Sequence, residues 1–367
     1  MSKLLKQRLA GLFIRVYKIT GFQVKRNIQP IDLNDLNTIA IFSTTALGDF
    51  MLNTPAMVAI KKRYPTARVV MVVHKRNALL VEGSAMFDRV LYWDGKINHA
   101  LSLARALRRE NIDATFILHS RSPYDIVVAT LARSKIILKD VYYNDYLERE
   151  EFTLSPYLSA SYDHRGIENH DIPVIHQKTG LLEHIGIDVS SVEMVIPVSF
   201  TPERKTRRTL GIHLGASSEE RCWQVTNFAA VIRWFLAEYP DIDVELLGGT
   251  GEIERNNRLM SLVGEYDSRI TNSAGQTNLK QLVEKIAALE CLLVGDTGPL
   301  HVAIAVKTPV IAMFPSDWWA YGTSPLQDNH LHQVLVGKEE VGISSISIDE
   351  VENALRIRFS AKEHLIQ

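Results

Sequence analysis

Cysteine is scarce in this chain, since Cys222 and Cys291 are its only two cysteines among 367 residues. Two cysteines cannot build the disulfide framework of a small secreted domain, and they fit a reducing compartment. The longest apolar run near the N-terminus, residues 9–14, is too short for a transmembrane helix, and charges interrupt the region too often for a secretory signal. We therefore expect a cytoplasmic protein.

The sequence also lacks the glycine patterns of two common classes of nucleotide-binding enzyme. No Gly-x-Gly-x-x-Gly follows the first predicted strand, and no Gly-x-x-x-x-Gly-Lys-Ser/Thr is present. A dinucleotide oxidoreductase and a P-loop enzyme are therefore disfavoured. A net charge of -1 gives no general attraction to nucleic acid. The hydrophobic content of 46% and the length of 367 residues predict a folded protein of two domains.

Basic residues are concentrated at the N-terminus. Residues 1–31 contain seven lysines and arginines and no acidic residue, and the first acid is Asp32. Apolar side chains at helical spacing fall on one face of the same segment: Leu5, Leu9, Leu12, Phe13 and Val16. Such a helix can lie on the surface of an anionic membrane, or it can pack on the first domain. Both interpretations of the N-terminal extension, residues 1–36, remain open at this stage.

Segments typical of strands alternate with segments typical of helices, a pattern that predicts parallel sheets covered by helices. The polar and aromatic stretch 140–170 has no clear period and is predicted to be a long loop facing a cleft. Prolines 197 and 202 mark a linker over residues 191–208. Predicted strands are 38–42, 68–73, 89–92, 114–118 and 135–138 before the linker, and 209–214, 244–247, 291–294 and 310–314 after it.

A polar turn joins the predicted strand 291–294 to a predicted helix. Residues 294–305 read VGDTGPLHVAIA, so Asp296, Thr297 and Gly298 stand where the helix begins and His301 lies one turn later. Free amide groups and a partial positive charge at a helix N-terminus bind anions. Aspartic proteases also contain an Asp-Thr-Gly turn, but they need two copies and this chain has one. The turn therefore predicts an anion-binding site.

Three further motifs follow predicted strands in the same way. Residues 45–50 read TALGDF, residues 211–217 read GIHLGAS and lead to RCW at 221–223, and residues 246–252 read LLGGTGE. Taken in order over residues 38–325, the four motifs resemble the heptosyltransferase family of glycosyltransferases, family 9. Enzymes of this family transfer a heptose from ADP-heptose to lipopolysaccharide core. The resemblance does not extend to the N-terminal extension.

The resemblance implies the α/β fold called GT-B, with two Rossmann-like doubly wound domains that face a central cleft. Residues 37–190 would bind the lipopolysaccharide core acceptor and residues 209–345 the ADP-heptose, while a C-terminal helix in residues 346–367 could cross back to the first domain. The implied reaction is an inverting transfer without cofactor or essential metal. Two alternatives remain: the same fold acting on another nucleotide sugar or on a protein acceptor, and a nucleotide-sugar-binding protein without catalysis.

Asp49 is the candidate general base. Sugar transfer with inversion needs a group that takes the proton of the acceptor hydroxyl, and Asp49 lies in a loop between a strand end and a helix. An aspartate in such a turn is often only a helix N-cap. The family resemblance favours the catalytic role, and the presence of Asp49 favours an enzyme over a binding protein.

Candidate donor-binding residues come from the second half. Arg221 would neutralise the diphosphate, the amides at Thr297 and Gly298 would bind it, and Asp296 and His301 would contact sugar hydroxyls. Glu252 would bind ribose or sugar hydroxyls, with Ser217 as a weaker donor. Alternatively, Arg221 and Glu252 form a solvated surface pair, and His301 is structural.

The spacing of Asp241 and Asp243 resembles the Asp-x-Asp metal site of other glycosyltransferases. Both aspartates follow Pro240, at the edge of the sheet opposite to the binding loops, and we interpret them as part of a turn.

Overall fold

The computed structural model describes residues 2–141, 145, 153–163, 172–216 and 218–360. It divides into two compact units, Met1–Val198 and Ser199–Gln367, and the division falls inside the segment 191–208 that the prolines mark. The described residues form two six-stranded sheets in which all paired strands are parallel. Across the described chain, the helices are too short or too polar to cross a membrane.

The sheet of the first unit has the strand order β3-β2-β1-β4-β5-β6. Its central strands read as nearly continuous apolar runs because helices cover both faces of a parallel sheet, and in β1 five of six residues are buried. The strands are β1 (Thr38–Ser43), β2 (Arg68–Val73), β3 (Arg89–Tyr92), β4 (Ala114–His119), β5 (Ile136–Val141) and β6 (Ala160–Asp163).

Helices follow most of these strands. They are α1 (Lys3–Tyr17), α2 (Leu47–Leu52), α3 (Thr54–Arg63), α4 (Ala100–Arg108), α5 (Tyr124–Leu131) and α6 (Val174–His184). In α4 the apolar residues Leu103 and Leu107 are buried, whereas Arg105 and Arg108 lie in the last turn, where basic side chains complement the helix dipole.

The sheet of the second unit repeats the design, with the order β12-β11-β10-β7-β8-β9. Its strands are β7 (Arg208–His213), β8 (Ile242–Leu247), β9 (Ile270–Asn272), β10 (Cys291–Gly295), β11 (Val310–Phe314) and β12 (Gln333–Val336). Its helices are α7 (Val225–Glu238), α8 (Ile253–Val263), α9 (Leu279–Ile286), α10 (Gly298–Ala305), α11 (Asp317–Thr323) and α12 (Ile348–Ser360).

The final helix, α12, belongs to the core of the second unit. The sequence leaves open a return of this segment to the first domain, but its apolar residues Val351, Leu355 and Phe359 are buried in the second core. The ring of Phe359 lies 5.0 Å from that of Phe235 in α7. Aromatic and aliphatic burial therefore fixes this helix where it is described, and residues 361–367 lie outside the described residues.

The strand predictions agree with the structure at the apolar strands and at the edge strand β3, but they miss the other three edge strands. Strand β6 lies within the stretch 140–170 that was predicted to be one long loop, and β9 and β12 were not predicted. Parts of that stretch, residues 142–144, 146–152 and 164–170, lie outside the described residues. Edge strands are short and depend on one neighbouring strand, so the local sequence signal for them is weak.

Helix α1 packs on the first unit, but not through the face that the sequence pattern singled out. Gln7, Ala10, Gly11 and Ile14 are the buried residues of this helix. The predicted apolar face is outward, and its residues Leu5, Leu9, Leu12, Phe13 and Val16 are exposed. The helix therefore packs on the first unit, but through a face other than the apolar stripe.

In each sheet the order in which successive strands are added reverses at one point, the topological switch point. In the first unit the chain runs from β1 outward to β3 and then returns to the other side of β1 with β4. In the second unit β7 and β10 have the same relation. Loops at the carboxyl ends of such a strand pair leave a crevice in which ligands bind. Asp49 and Arg221 each follow the first strand of the pair.

Candidate active site

Asp49 lies in the first turn of α2, directly beyond the end of β1. The N-cap of this helix is Ala46, so Asp49 is not the capping residue. Its side chain is 33% exposed, which leaves the carboxylate open to a substrate. The interpretation of Asp49 as a simple N-cap therefore does not hold.

His119, at the end of β4, faces Asp49 across the reversal point of the sheet. Its Nδ1 lies 3.6 Å from Asp49 Oδ1 and 3.2 Å from Lys178 Nζ. An ammonium group can only donate, so Nδ1 accepts from Lys178 and the ring proton lies on Nε2. Burial, together with the charges of Lys178 and Lys139, holds the pKa of His119 well below its ordinary value. The imidazole is neutral at pH 7, and Asp49 faces no imidazolium.

Two buried lysines support this wall of the site. Lys178 Nζ lies 3.7 Å from Asp140 Oδ2, and both side chains are fully buried. Lys139 Nζ donates to Asp125 Oδ2 at 2.7 Å and lies 3.2 Å from Asp145 Oδ2. Burial alone would lower the pKa of Lys139, but the two carboxylates raise it above the ordinary lysine value. Lys139 therefore carries a fixed positive charge in the first unit, in the strand that pairs with the strand of His119.

An open cavity of about 1060 Å³ lies in front of Asp49 and His119. Among the described residues, five lysines and arginines line it (Lys3, Lys6, Arg76, Lys96 and Arg121) against three aspartates (Asp49, Asp94 and Asp145). Asp145 is paired with buried Lys139, so the surface of the cavity is predominantly positive. A cavity of this size and charge suits a polar, anionic ligand.

One wall of this cavity depends on a glycine. Gly95 has a φ of +75°, and a side chain on it would meet Cδ of Arg121 at 3.1 Å. The left-handed backbone and the close approach both favour glycine at this position. The side chain of Arg121 therefore passes close to residue 95 at the cavity wall.

In the second unit, Arg221 and Asp296 contact each other directly. Arg221 Nη2 donates to the carbonyl oxygen of Asp296 at 2.6 Å and also to its carboxylate. Asp296 Oδ1 accepts from Thr323 Oγ1 at 3.1 Å. The guanidinium also lies 4.7 Å from the ring centre of Trp319, a cation–π distance. Arg221 is thus fixed from two sides and is not part of a solvated pair with Glu252.

Thr297 and Gly298 begin α10 at the same sheet edge. Thr297 is the N-cap, with extended backbone, and Gly298 is the first helical residue. The first amides of a helix have no intrahelical partner and point outward from its N-terminus. His301 is only 3% exposed, so it lies inside the unit behind this helix turn rather than on its surface.

Glu252 stabilises the loop after β8. Its Oε2 accepts from the backbone N–H of Gly249 at 2.7 Å. A side chain on Gly215 would meet Cγ of Glu252 at 2.7 Å. Glycine at residue 215 therefore allows the loop after β7 to lie close to the Glu252 side chain. Glu252 is half-buried between these two loops. Ser217, the weaker donor candidate, lies outside the described residues.

Asp241 and Asp243 belong to ion pairs with arginines. Asp243 Oδ1 lies 3.1 Å from Arg207 Nε and 3.6 Å from Arg269 Nε, and Asp241 lies 3.9 Å from Arg208. Asp243 occupies the amino-terminal part of β8, at the edge of the sheet opposite to Arg221. Ion pairs with arginines are therefore sufficient to explain why both aspartates are present.

Several residues of the site were missed by the sequence analysis. His119, Lys178 and Lys139 are brought together by the sheet, and 59 positions separate His119 from Lys178. A lysine and an aspartate inside the apolar run of β5, IILKDV, were a signal of a buried ion pair. Thr323 follows no motif, and it joins the site because α11 begins just after β11.

Comparison with known proteins identifies a family that part of the chain resembles. Residues 162–338 match the profile of glycosyltransferase family 9 (heptosyltransferase). Residues 162–338, just under half of the chain, are therefore similar to glycosyltransferase family 9. Lipopolysaccharide heptosyltransferase 3 of Escherichia coli K12 is 26% identical over 301 residues, which cover 73% of this chain and 79% of that protein. Lipooligosaccharide heptosyltransferase 2 of Campylobacter jejuni is 24% identical, covering 80% and 85%.

Solved structures of family 9 glycosyltransferases share the fold. A family 9 glycosyltransferase from Veillonella parvula superposes with a TM-score of 0.72 at 20% identity, covering 89% of this chain and 97% of that one. The E. coli ADP-heptose LPS heptosyltransferase II gives a TM-score of 0.72 at 20% identity, covering 89% and 99%. The predicted GT-B fold, with two Rossmann-like sheets, is confirmed, and the chain is a glycosyltransferase.

Proposed function

We propose that this glycosyltransferase moves a heptose from ADP-heptose to an acceptor sugar of the lipopolysaccharide core. The observation that carries the proposal is the partly exposed carboxylate of Asp49 in the lining of a positively charged cavity, beside a neutral histidine. The names of the relatives support the choice of substrates, because they are heptosyltransferases of lipopolysaccharide or lipooligosaccharide. Anionic groups on a core acceptor would match the cavity's charge.

In the proposed reaction Asp49 acts as the general base. An acceptor hydroxyl attacks the anomeric carbon of the donor from the face opposite the diphosphate, so the configuration inverts. Asp49 takes the hydroxyl proton as the new C–O bond forms. The bond to the diphosphate breaks, and ADP leaves with its electron pair. Neutral His119, which cannot pair with Asp49 as a cation, leaves the carboxylate able to accept this proton.

The second unit would hold the donor. Arg221 and the amides at Thr297 and Gly298 supply positive charge and N–H groups to the departing diphosphate. Asp296 orients Arg221 and offers oxygen atoms to sugar hydroxyls, while Glu252 and Ser217 are further hydroxyl partners. His301 would act from its buried position by supporting the turn. No cofactor is required in this scheme.

A panel experiment tests the choice of substrates. The purified protein is incubated with several nucleotide sugars and with truncated core acceptors or proteins, and the products are measured by mass spectrometry. We expect a mass increase of one heptose on the core acceptor with ADP-heptose alone. Transfer from another nucleotide sugar or onto protein would replace the proposed substrates, and binding without any transfer would favour a non-catalytic role.

Activity is expected to survive chelation of divalent cations. Arg221 and the amides that begin α10 offer positive charge where other glycosyltransferases use a metal at the diphosphate. Turnover is therefore measured in EDTA and after adding back Mg²⁺ or Mn²⁺, and the rates should agree. Loss of turnover in EDTA with recovery on adding a metal would contradict the proposal.

Replacing Asp296 by Ala is expected to raise the KM for the donor by roughly tenfold or more. The substitution removes the carboxylate that holds Arg221, and hydrogen bonds to charged groups contribute about 1.5–3 kcal/mol. Thr323→Val is the matched control, because it removes one hydrogen bond to Asp296 but leaves the pair with Arg221 intact. Equal donor KM values in the wild type and Asp296→Ala would place the donor elsewhere.

A further inference from the structure

Helix α1 has two faces of unlike character. The inner face is buried and consists of Gln7, Ala10, Gly11 and Ile14. The outer face, in the spacing of one helix stripe, carries Leu5, Leu9, Leu12 and Val16, whose exposed fractions are 46%, 48%, 58% and 56%. Ile19, just beyond the helix, is 84% exposed. A contiguous apolar stripe on the outside of a folded unit indicates a contact with something apolar.

Hydrogen bonds of Gln7 and Arg15 fix the orientation of α1 and keep the apolar stripe exposed. Gln7 is buried, and its Nε2 donates to the backbone oxygen of Asp145 at 2.8 Å while its Oε1 accepts from Thr153 Oγ1 at 3.0 Å. Arg15 Nε donates to Tyr157 Oη at 2.8 Å. Rolling the helix to bury its leucines would break these bonds and bury polar groups without partners. The exposure of the stripe is therefore built into the packing of the helix.

The charges beside the stripe have one sign. Arg8 and Arg15 lie along one flank of the stripe and Lys6 along the other, as their helical spacing requires, and Lys3 is an exposed residue of the first turn. The whole segment 1–31 has no acidic residue. An apolar face between two basic flanks is complementary to a bilayer surface with anionic headgroups. A second protein surface would have to be both apolar and acidic to match it as well.

The same helix also contributes to the Asp49 cavity. Lys3 and Lys6 line this cavity together with Arg76, Lys96 and Arg121. One flank of α1 is therefore a wall of the cavity, and the next face around the helix is the exposed apolar stripe. A surface on which α1 docks would therefore lie close to the cavity that Lys3 and Lys6 line.

We propose that α1 docks on an anionic lipid bilayer, with Leu5, Leu9, Leu12 and Val16 inserted among the headgroups and the basic flanks on the phosphates. Docking in this orientation brings the Asp49 cavity to the lipid surface, where a lipid-linked acceptor is presented. The docking of α1 is inferred from the helix alone. The presentation of the acceptor at the cavity rests on the proposed function.

Vesicle binding tests the docking. The full-length protein is sedimented with vesicles of phosphatidylcholine, with or without phosphatidylglycerol, at low and high salt. We expect binding to the anionic vesicles that weakens with salt. The double variant Leu9→Ser, Leu12→Ser should bind at least roughly tenfold more weakly, because two large apolar side chains no longer insert. Its melting temperature should stay near that of the wild type, since both side chains are exposed.

Ile357→Ser is the matched control. Ile357 is an exposed apolar residue of α12, 56% exposed, and lies in the second unit. This variant should bind vesicles as the wild type does. Unchanged binding by Leu9→Ser, Leu12→Ser would overturn the proposal, as would equal binding to vesicles without anionic lipid. A wild-type dimer that dissociates in the double variant would also overturn it and assign the stripe to a second copy of the chain.

Turnover separates this inference from the proposed function. For an acceptor embedded in anionic vesicles, the double variant should lose kcat/KM about as much as it loses vesicle binding. For a water-soluble acceptor, kcat/KM should be unchanged. Equal loss on both acceptors would contradict the link between docking and acceptor supply. Failure of the proposed function would be seen differently, as absence of heptose transfer to either acceptor while vesicle binding persists.

Discussion

Replacing Asp49 by Asn is expected to lower turnover by roughly a hundredfold or more, the scale of losing general base catalysis. Asparagine keeps the size of the side chain and much of its hydrogen bonding, but it cannot accept the acceptor's proton. Because Ala46 and not Asp49 caps α2, the helix should be unaffected. Turnover, donor binding and melting temperature are measured on the same variant, and only turnover should change.

Asp94→Asn is the control for this variant. Asp94 lines the same cavity, where its carboxylate lies 3.8 Å from Lys96 Nζ and 3.6 Å from His99 Nδ1. It has no place in the proton transfer, so its loss should change turnover by less than about tenfold. A fully active and stable Asp49→Asn enzyme would leave the proposed reaction without its base. Equal losses in both variants would indicate that the cavity needs negative charge, not a base.

Replacing Lys139 by Met is expected to lower the free energy of unfolding by about 3–5 kcal/mol, the range for removing one partner of a buried ion pair. Lys139 and Asp125 are both fully buried, and Asp145 completes the group. Without the ammonium, two carboxylates remain in a site with little water. Urea denaturation followed by circular dichroism measures the change.

Lys135→Met provides the matched comparison. Lys135 directly precedes β5 and pairs with Asp113 at 2.7 Å, but its side chain is 71% exposed. Its removal should change the free energy of unfolding by no more than about 1 kcal/mol. Adding Asp125→Leu to Lys139→Met should recover part of the lost stability, because a buried charge without its cation is removed. Similar losses for both lysines would show that burial does not set the strength of the Lys139 pair.

The central strands could be predicted from the sequence because burial on both faces of the sheet requires a continuous run of apolar residues. Strand β2 reads RVVMVV and β11 reads VIAMF, and both were predicted with the bounds that the structure gives. The short strand β9, with three residues, has no such run. Its existence depends on pairing with β8, which is a contact between distant parts of the chain.

The site was predictable where a motif lies on one loop and not where a contact joins distant segments. Asp49, Asp296 and Thr297 follow strands directly, and strand ends determine where they lie. The pairing of His119 with Lys178 depends on α6 packing beside β5, which no local pattern specifies. For α1 the period predicted a helix correctly, but apolar spacing could not indicate which face packs, because the buried face includes polar Gln7.

The boundary between Val198 and Ser199 suggests how specificity can change among related glycosyltransferases. The candidate base and its cavity lie wholly before the boundary, and Arg221, Asp296 and Thr297 lie wholly after it. If each half recognises its own substrate, acceptor choice and donor choice are inherited separately. A chimera of two such enzymes joined at this peptide bond would then take its acceptor from one parent and its sugar nucleotide from the other.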